Sequence, residues 1–243
     1  MIDDWLSETL FVKIMAVGLE RLNELLSMAR KAGKLRVVTG SVNMDGWLLH
    51  LCQKFDVEIV RDYKQGHDPA MLNYDLTRGG WCFGMTIDWL RCKRNSIDFW
   101  ASFNSDSGKH RVRFLMARQG MISLKGTVAD TDAIIQAGMS SVGLVFRTFE
   151  EKMNIGQVSA ADLANSLLRL RGRYVCLAIS GPGGAHMMGI LVSQTQLVFM
   201  DPNAGEFVFP KESVFRPWLS RYLTFKGYSS MGLLSSYAMF SFG

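Results

Sequence analysis

Cysteine, histidine and proline are scarce in this chain of 243 residues, which holds four, four and five of them. The cysteines at positions 52, 82, 92 and 176 form no CxxC pair and have no partner at zinc-site spacing. That argues against a disulfide-stapled module or a zinc fold and for reduced, mostly structural thiols, with no metal site and no cofactor. With 23 glycines in no regular period, the chain is neither collagen-like nor a low-complexity polymer. Long uncharged apolar runs are also missing: Lys13 and Glu20 interrupt the first candidate, and Met1-Ile2-Asp3-Asp4 carries no positive charge. Neither a transmembrane segment nor a secretory signal peptide is read, and Ile2 stands where N-myristoylation needs glycine. The charge excess is small, 27 Lys and Arg against 22 Asp and Glu for a net +5, which by itself names no partner.

What the chain does have is apolar material, 48% hydrophobic and 11% aromatic, spread evenly from Trp5 to Phe242. This supports one core: an N-terminal helical segment, 1–35, followed by a single domain, 36–243. Apolar residues from Trp5 to Leu26 recur at helical spacing with charges between them, Leu35 to Val38 suggests a short strand, and Gly46 to Phe55 a further helix. Tyr63 to Gly80 reads as loop, and a helix opens at Cys82 and runs to about Arg91. Strands are expected at Ile97 to Phe103 and Arg111 to Ala117, then helices from Thr131 to about Glu151 and from the N-cap Ser159 to Arg171. The last third is β-rich, with runs at Tyr174–Ser180, His186–Val192, Leu197–Met200 and Glu206–Phe209, closed by a helix from Glu212 to Tyr222. The expected fold class is α+β, with an N-terminal helical half packed on a C-terminal antiparallel sheet.

Cys82 sits where the glycine-rich Gly79-Gly80-Trp81 gives way to a helix. Unpaired N–H groups at a helix start favour a thiolate, the nucleophilic form of cysteine, and the glycines let a substrate backbone come close. Taken alone, the segment equally fits a buried cysteine in a tight turn. His186 follows the glycine loop Ser180–Ala185 and opens an apolar strand. If Ser193-Gln194 forms a two-residue turn, Asp201 lies directly across from His186; a four-residue turn leaves the two diagonal. Asp201-Pro202-Asn203-Ala204-Gly205 also reads as ordinary turn chemistry. Thiol catalysis needs a thiolate, an imidazole and a group that orients the imidazole, and Cys82, His186 and Asp201 supply these in that order.

The segments Gly79–Met85, Ala185–Ile190 and Phe199–Phe207 resemble those around the nucleophile, histidine and acid of the YopT/AvrPphB-type cysteine proteases, bacterial effectors with a papain-like, two-lobed fold. The resemblance implies a thiol protease that cleaves a host protein with Cys82, His186 and Asp201, and Gly80 and Trp81 beside the substrate. It also implies an oxyanion-hole side chain upstream of the cysteine, where Asn73 and Thr77 are the candidates. Family members act inside host cells after delivery by a specialised secretion system, which implies a secreted virulence effector that works in the host cytoplasm. The same triad also serves glutamine deamidation or transglutamination, and a catalytically silent binding module would keep the same fold.

Arg91, Lys93, Arg94, Lys109, Arg111, Arg113 and Arg118 form a basic cluster that suits either a solvated surface or peripheral association with an acidic surface. No nucleic-acid-binding motif accompanies it. Phe99, Phe103 and Phe114 are read as core, His50 as a core-edge residue, and His67 and His110 as solvated.

Overall fold

The computed structural model describes residues 45–69, 81–123, 128–153, 159–170, 173–194 and 196–243. The expected N-terminal helix, the strand at Leu35–Val38, most of the Tyr63–Gly80 loop and the site candidates Asn73, Thr77 and Gly80 lie outside them. Seven helices and one seven-stranded antiparallel sheet make up the described part, an α+β fold. The helices are α1 (Gly46–Lys54), α2 (Cys82–Arg94), α3 (Phe99–Asn104), α4 (Asp106–Ser123), α5 (Val128–Ser141), α6 (Ala160–Leu168) and α7 (Glu212–Phe225). The strands are β1 (Glu58–Asp62), β2 (Phe146–Met153), β3 (Arg173–Gly181), β4 (Gly184–Val192), β5 (Leu197–Asp201), β6 (Gly205–Phe209) and β7 (Ser236–Phe242), in the order β1-β6-β5-β4-β3-β7-β2. Among the described residues no helix is long and apolar enough to cross a membrane.

Helices cover both faces of the sheet, which is why β5 is buried along its whole length. On one face α7 lays Trp218 and Tyr222 against Phe199 and Phe207, with α1 and α6 beside it. On the other face α2 lies across β4, buried from Phe83 to Leu90 on every side as a central helix must be. Glycine makes both close approaches of α2. A Cβ at Gly189 on β4 would stand 2.7 Å from the Trp89 ring, and one at Gly84 would stand 2.6 Å from the Val112 carbonyl of α4. The Thr86 hydroxyl donates across this interface to the Met187 carbonyl at 3.3 Å, fixing α2 against the strand that carries His186.

A second tie is ionic. Glu206 on β6 is buried, yet it accepts from the Trp89 and Trp100 indoles at 3.0 and 2.8 Å and pairs with Lys93 at 2.5 Å. With its oxygens satisfied, the carboxylate is held in the core by its partners, where an unpaired one would be strongly disfavoured.

The two strands expected in the middle are helices. Asp98 caps α3 by accepting from the Ala101 N–H at 3.1 Å, and Phe99, Trp100 and Phe103 are buried at helical spacing. In α4 the buried apolar side chains among the described residues are Val112, Leu115 and Met116, again one face of a helix. Phe114, expected in the core, is consequently exposed, and so is His50. The helix expected over Thr131–Glu151 ends at Ser141. Gly143, at φ +80°, turns the chain out of the helix, and β2 follows as an edge strand paired with β7. Ser159 caps α6 as expected, its hydroxyl accepting from the Asp162 N–H at 3.3 Å, but α6 stops at Leu168.

Four residues of the basic cluster are engaged by neighbours, while Arg94 is exposed. Arg91 and Arg111 both meet Asp88, Lys93 is held by Glu206, and the Arg113 guanidinium lies over the Trp81 ring.

Candidate active site

Cys82 is the first residue of α2 and is half-buried, whereas Cys52, Cys92 and Cys176 are buried. Trp81, expected beside the substrate, has a fully buried indole that packs edge-on to Phe103, so its side chain supports the helix start from beneath. Burial alone disfavours a thiolate at Cys82. The His186 imidazole outweighs it through a hydrogen bond and its charge, joined by the backbone N–H groups of Met187 and Phe83. The net direction is downward from the ordinary thiol value. The other three go the opposite way: burial pushes Cys52 up to about 12, offset in small part by the Trp218 indole, and raises Cys92 and Cys176 as well.

His186 lies on β4, paired with Ile179 of β3 just beyond the two-residue hairpin turn at Pro182-Gly183. Its Nε2 is 2.8 Å from Asp201 Oδ1. Because a carboxylate only accepts, Nε2 carries the hydrogen, and Nδ1 is left for the thiol. Burial disfavours the imidazolium, but the Asp201 charge and hydrogen bond and the contact with Cys82 raise its pKa to about 10.

The register that brings the two together is the diagonal one. The pairing runs from Val192↔Leu197 to Gly189↔Met200, so 193–196 form a four-residue connection and Asp201 falls beyond Gly189, opposite Met188. The two-residue turn at Ser193-Gln194 is therefore not the one formed. A shift of two residues keeps every side chain on its own face, which is why His186 and Asp201 still meet.

Asp201 is fully buried and fully satisfied. Oδ1 accepts from His186 and from the Asn203 backbone N–H at 2.7 Å; Oδ2 accepts from the Tyr222 and Tyr228 hydroxyls at 2.5 and 2.7 Å. Burial opposes its charge, yet the His186 charge and these donors outweigh it and hold the carboxyl at about 2. The Asp201-Pro202-Asn203 segment is thus an Asx turn and an imidazole partner at once. Tyr222 and Tyr228 were not anticipated: one lies on α7 and the other in the following loop, and no local pattern links them to Asp201. The Tyr228 ring also lies 5.2 Å from the His186 ring.

The family model Peptidase_C58, described as "Yersinia/Haemophilus virulence surface antigen", matches residues 50–232, more than half of the chain. No curated protein matches significantly. Among solved structures, the Pseudomonas avirulence protein AvrPphB is similar at 17% identity over 70% of this chain and 95% of its own, with a TM-score of 0.55, a likeness of fold. PatoxP, a cysteine protease-like domain of the Photorhabdus asymbiotica toxin PaTox, gives 12% identity over 80% of this chain and 57% of its own, with a TM-score of 0.35. The YopT domain of the Pasteurella multocida PfhB2-toxin gives 18% over 74% and 91%, with a TM-score of 0.28. With its matched span running from α1 to the loop after Tyr228, and so across all three segments that carry the resemblance, the chain belongs to the Peptidase_C58 family.

Proposed function

We propose that this chain is a thiol protease that cleaves a host protein through Cys82, His186 and Asp201. The observation that carries the reading is the 2.8 Å contact between Asp201 Oδ1 and His186 Nε2, on an imidazole whose other side meets the one cysteine with a depressed pKa. The Cys82 thiolate attacks the scissile carbonyl carbon and forms a tetrahedral oxyanion. His186 gives its Nδ1 proton to the leaving amine as the C–N bond breaks, and a thioester remains. Water, deprotonated by the neutral imidazole, then attacks the thioester, and the thiolate leaves with the carboxylate product released. Asp201 stays ionised and holds the ring in place.

The Cys82 backbone N–H is one oxyanion donor, with Asn73 or Thr77 as the second and Gly80 beside the substrate backbone, as the family resemblance implies. The family also suggests an effector delivered by a specialised secretion system that acts in the host cytoplasm, with 36–243 as the catalytic domain behind the helical segment 1–35. The test is terminal-amine profiling and intact mass analysis of host lysate treated with wild type or Cys82→Ala. New chain ends made by wild type alone support the protease. A gain of about one mass unit at glutamine, without new ends, would replace it with a deamidase on the same triad. No change of either kind would leave a binding module.

A further inference from the structure

Gln65 lies in a short 3₁₀ turn (Gln65–His67) after β1, 17 residues before the nucleophile. It is buried, and each of its polar groups is used. Its backbone N–H donates to the Pro202 carbonyl at 2.9 Å, its Oε1 accepts from the Trp81 N–H at 2.6 Å, and its Nε2 donates to Asn203 Oδ1 at 2.7 Å. One side chain therefore joins the residue before Cys82 to the turn that carries Asp201.

These bonds run in one direction only. A backbone N–H can only donate, so Gln65 must turn Oε1 to Trp81 and Nε2 to Asn203. Asn203 must then offer Oδ1 to Gln65, which leaves its Nδ2 facing the Tyr228 hydroxyl at 3.3 Å and His186 Nε2 at 3.5 Å. Nδ2 and Nε2 both carry hydrogens, so the second contact sets two donors against each other. Left alone, the Asn203 amide would gain by turning over. Its Oδ1 would then accept from both the Tyr228 hydroxyl and His186 Nε2, two donors that serve Asp201.

From this we propose that Gln65 is a positioning residue for the triad: it holds the Asn203 amide in the orientation that leaves the donors of Tyr228 and His186 to Asp201. The proposal rests on the thiol-protease reading above. It extends that reading to two residues that touch neither the thiol nor the scissile bond. Removing Gln65 frees Asn203 to compete with Asp201, the imidazolium loses part of its counter-charge, and Cys82 becomes a weaker acid.

The test follows iodoacetamide labelling of Cys82 against pH, by peptide mapping, in wild type, Gln65→Met, Asn203→Ala and the double variant. Wild-type labelling at low pH establishes the thiolate on its own, so loss of the underlying reading shows in wild type alone. In Gln65→Met the profile is expected to move up by about one pH unit, a tenfold loss of rate near pH 5.5, as for one hydrogen bond to a charged group. Asn203→Ala costs less, and added to Gln65→Met it restores labelling, because the competing amide is gone. A double variant as slow as Gln65→Met, or slower, would overturn the proposal and leave Gln65 a structural tie to Trp81. An unmoved Gln65→Met profile would do the same. Should Gln65→Met not fold, NMR of wild type decides: the Asn203 side-chain NH₂ protons show cross-peaks to the Tyr228 ring if the proposal holds, and to the Gln65 side chain alone if it does not.

Discussion

The Tyr222 hydroxyl on α7 donates to Asp201 Oδ2 at 2.5 Å, while the Tyr222 ring stacks on Trp218 with centroids 4.7 Å apart. The packing that buries α7 therefore also aims a donor at the carboxylate that orients His186. Core and site share a side chain.

Tyr222→Phe separates the two roles. The ring and its stacking stay, and one charge-assisted hydrogen bond worth about 1.5–3 kcal/mol is lost. The carboxyl pKa should rise, the His186 pKa fall, and kcat drop roughly tenfold with KM little changed, measured on a cleaved substrate from pH 5 to 9.

Direct replacements follow from the roles of the triad. Cys82→Ala and His186→Ala each abolish turnover while the thermal transition stays cooperative. Asp201→Ala lowers turnover less completely, because the imidazole remains present but loses its orienting partner. Turnover that survives in Cys82→Ala would remove the assignment.

The ion pair also leaves a stability signature. Asp201 is held below the ordinary carboxyl value of 3.8, so its contribution is complete above about pH 4 and is lost as pH falls toward 2. His186 is raised above the ordinary imidazole value of 6.5, so its contribution is complete below about pH 6.5 and is lost as pH rises toward 10. In a Cys82→Ala background, which removes the thiol's own titration, urea midpoints with His186 and with His186→Gln should differ most between about pH 4 and 6.5, narrowing on either side.

Gly189→Ala tests the seating of α2. The added Cβ meets the Trp89 ring at 2.7 Å, an overpacking that costs about 1–3 kcal/mol and displaces the helix that carries Cys82 from the strand that carries His186. Denaturant midpoint and Cys82 labelling should both fall. Glu206→Gln should cost about 1–3 kcal/mol of stability through the lost Lys93 pair, seen as a lower midpoint, and leave the labelling profile in place.

The C-terminal strands and the segments around Cys82, His186 and Asp201 were legible because alternation, glycine turns and a helix start are local signals. The middle of the chain was misread because Phe99, Phe103 and Phe114 suggest strand alternation only when Trp100 and Leu115 are ignored. With those included the period is helical. β1, β2 and β7 were missed because their pairing is remote in sequence: β1 joins β6, and β7 lies between β3 and β2. The register at 193–196 could not be chosen from sequence, since both turn lengths keep His186 and Asp201 on one face. Tyr222, Tyr228 and Gln65 reach the site only through tertiary packing. A tyrosine on an amphipathic helix and a glutamine in a turn carry no local mark of such a role.

The rate of Cys82 alkylation by iodoacetamide from pH 4 to 9, in wild type and His186→Ala, tests the central claim most directly. Rapid labelling well below the ordinary thiol pKa of about 8.5, lost in the variant, is the predicted result. Labelling of Cys82 that rises only near pH 8.5 and is the same in both proteins would show that the thiol and imidazole are not paired, and would contradict the account.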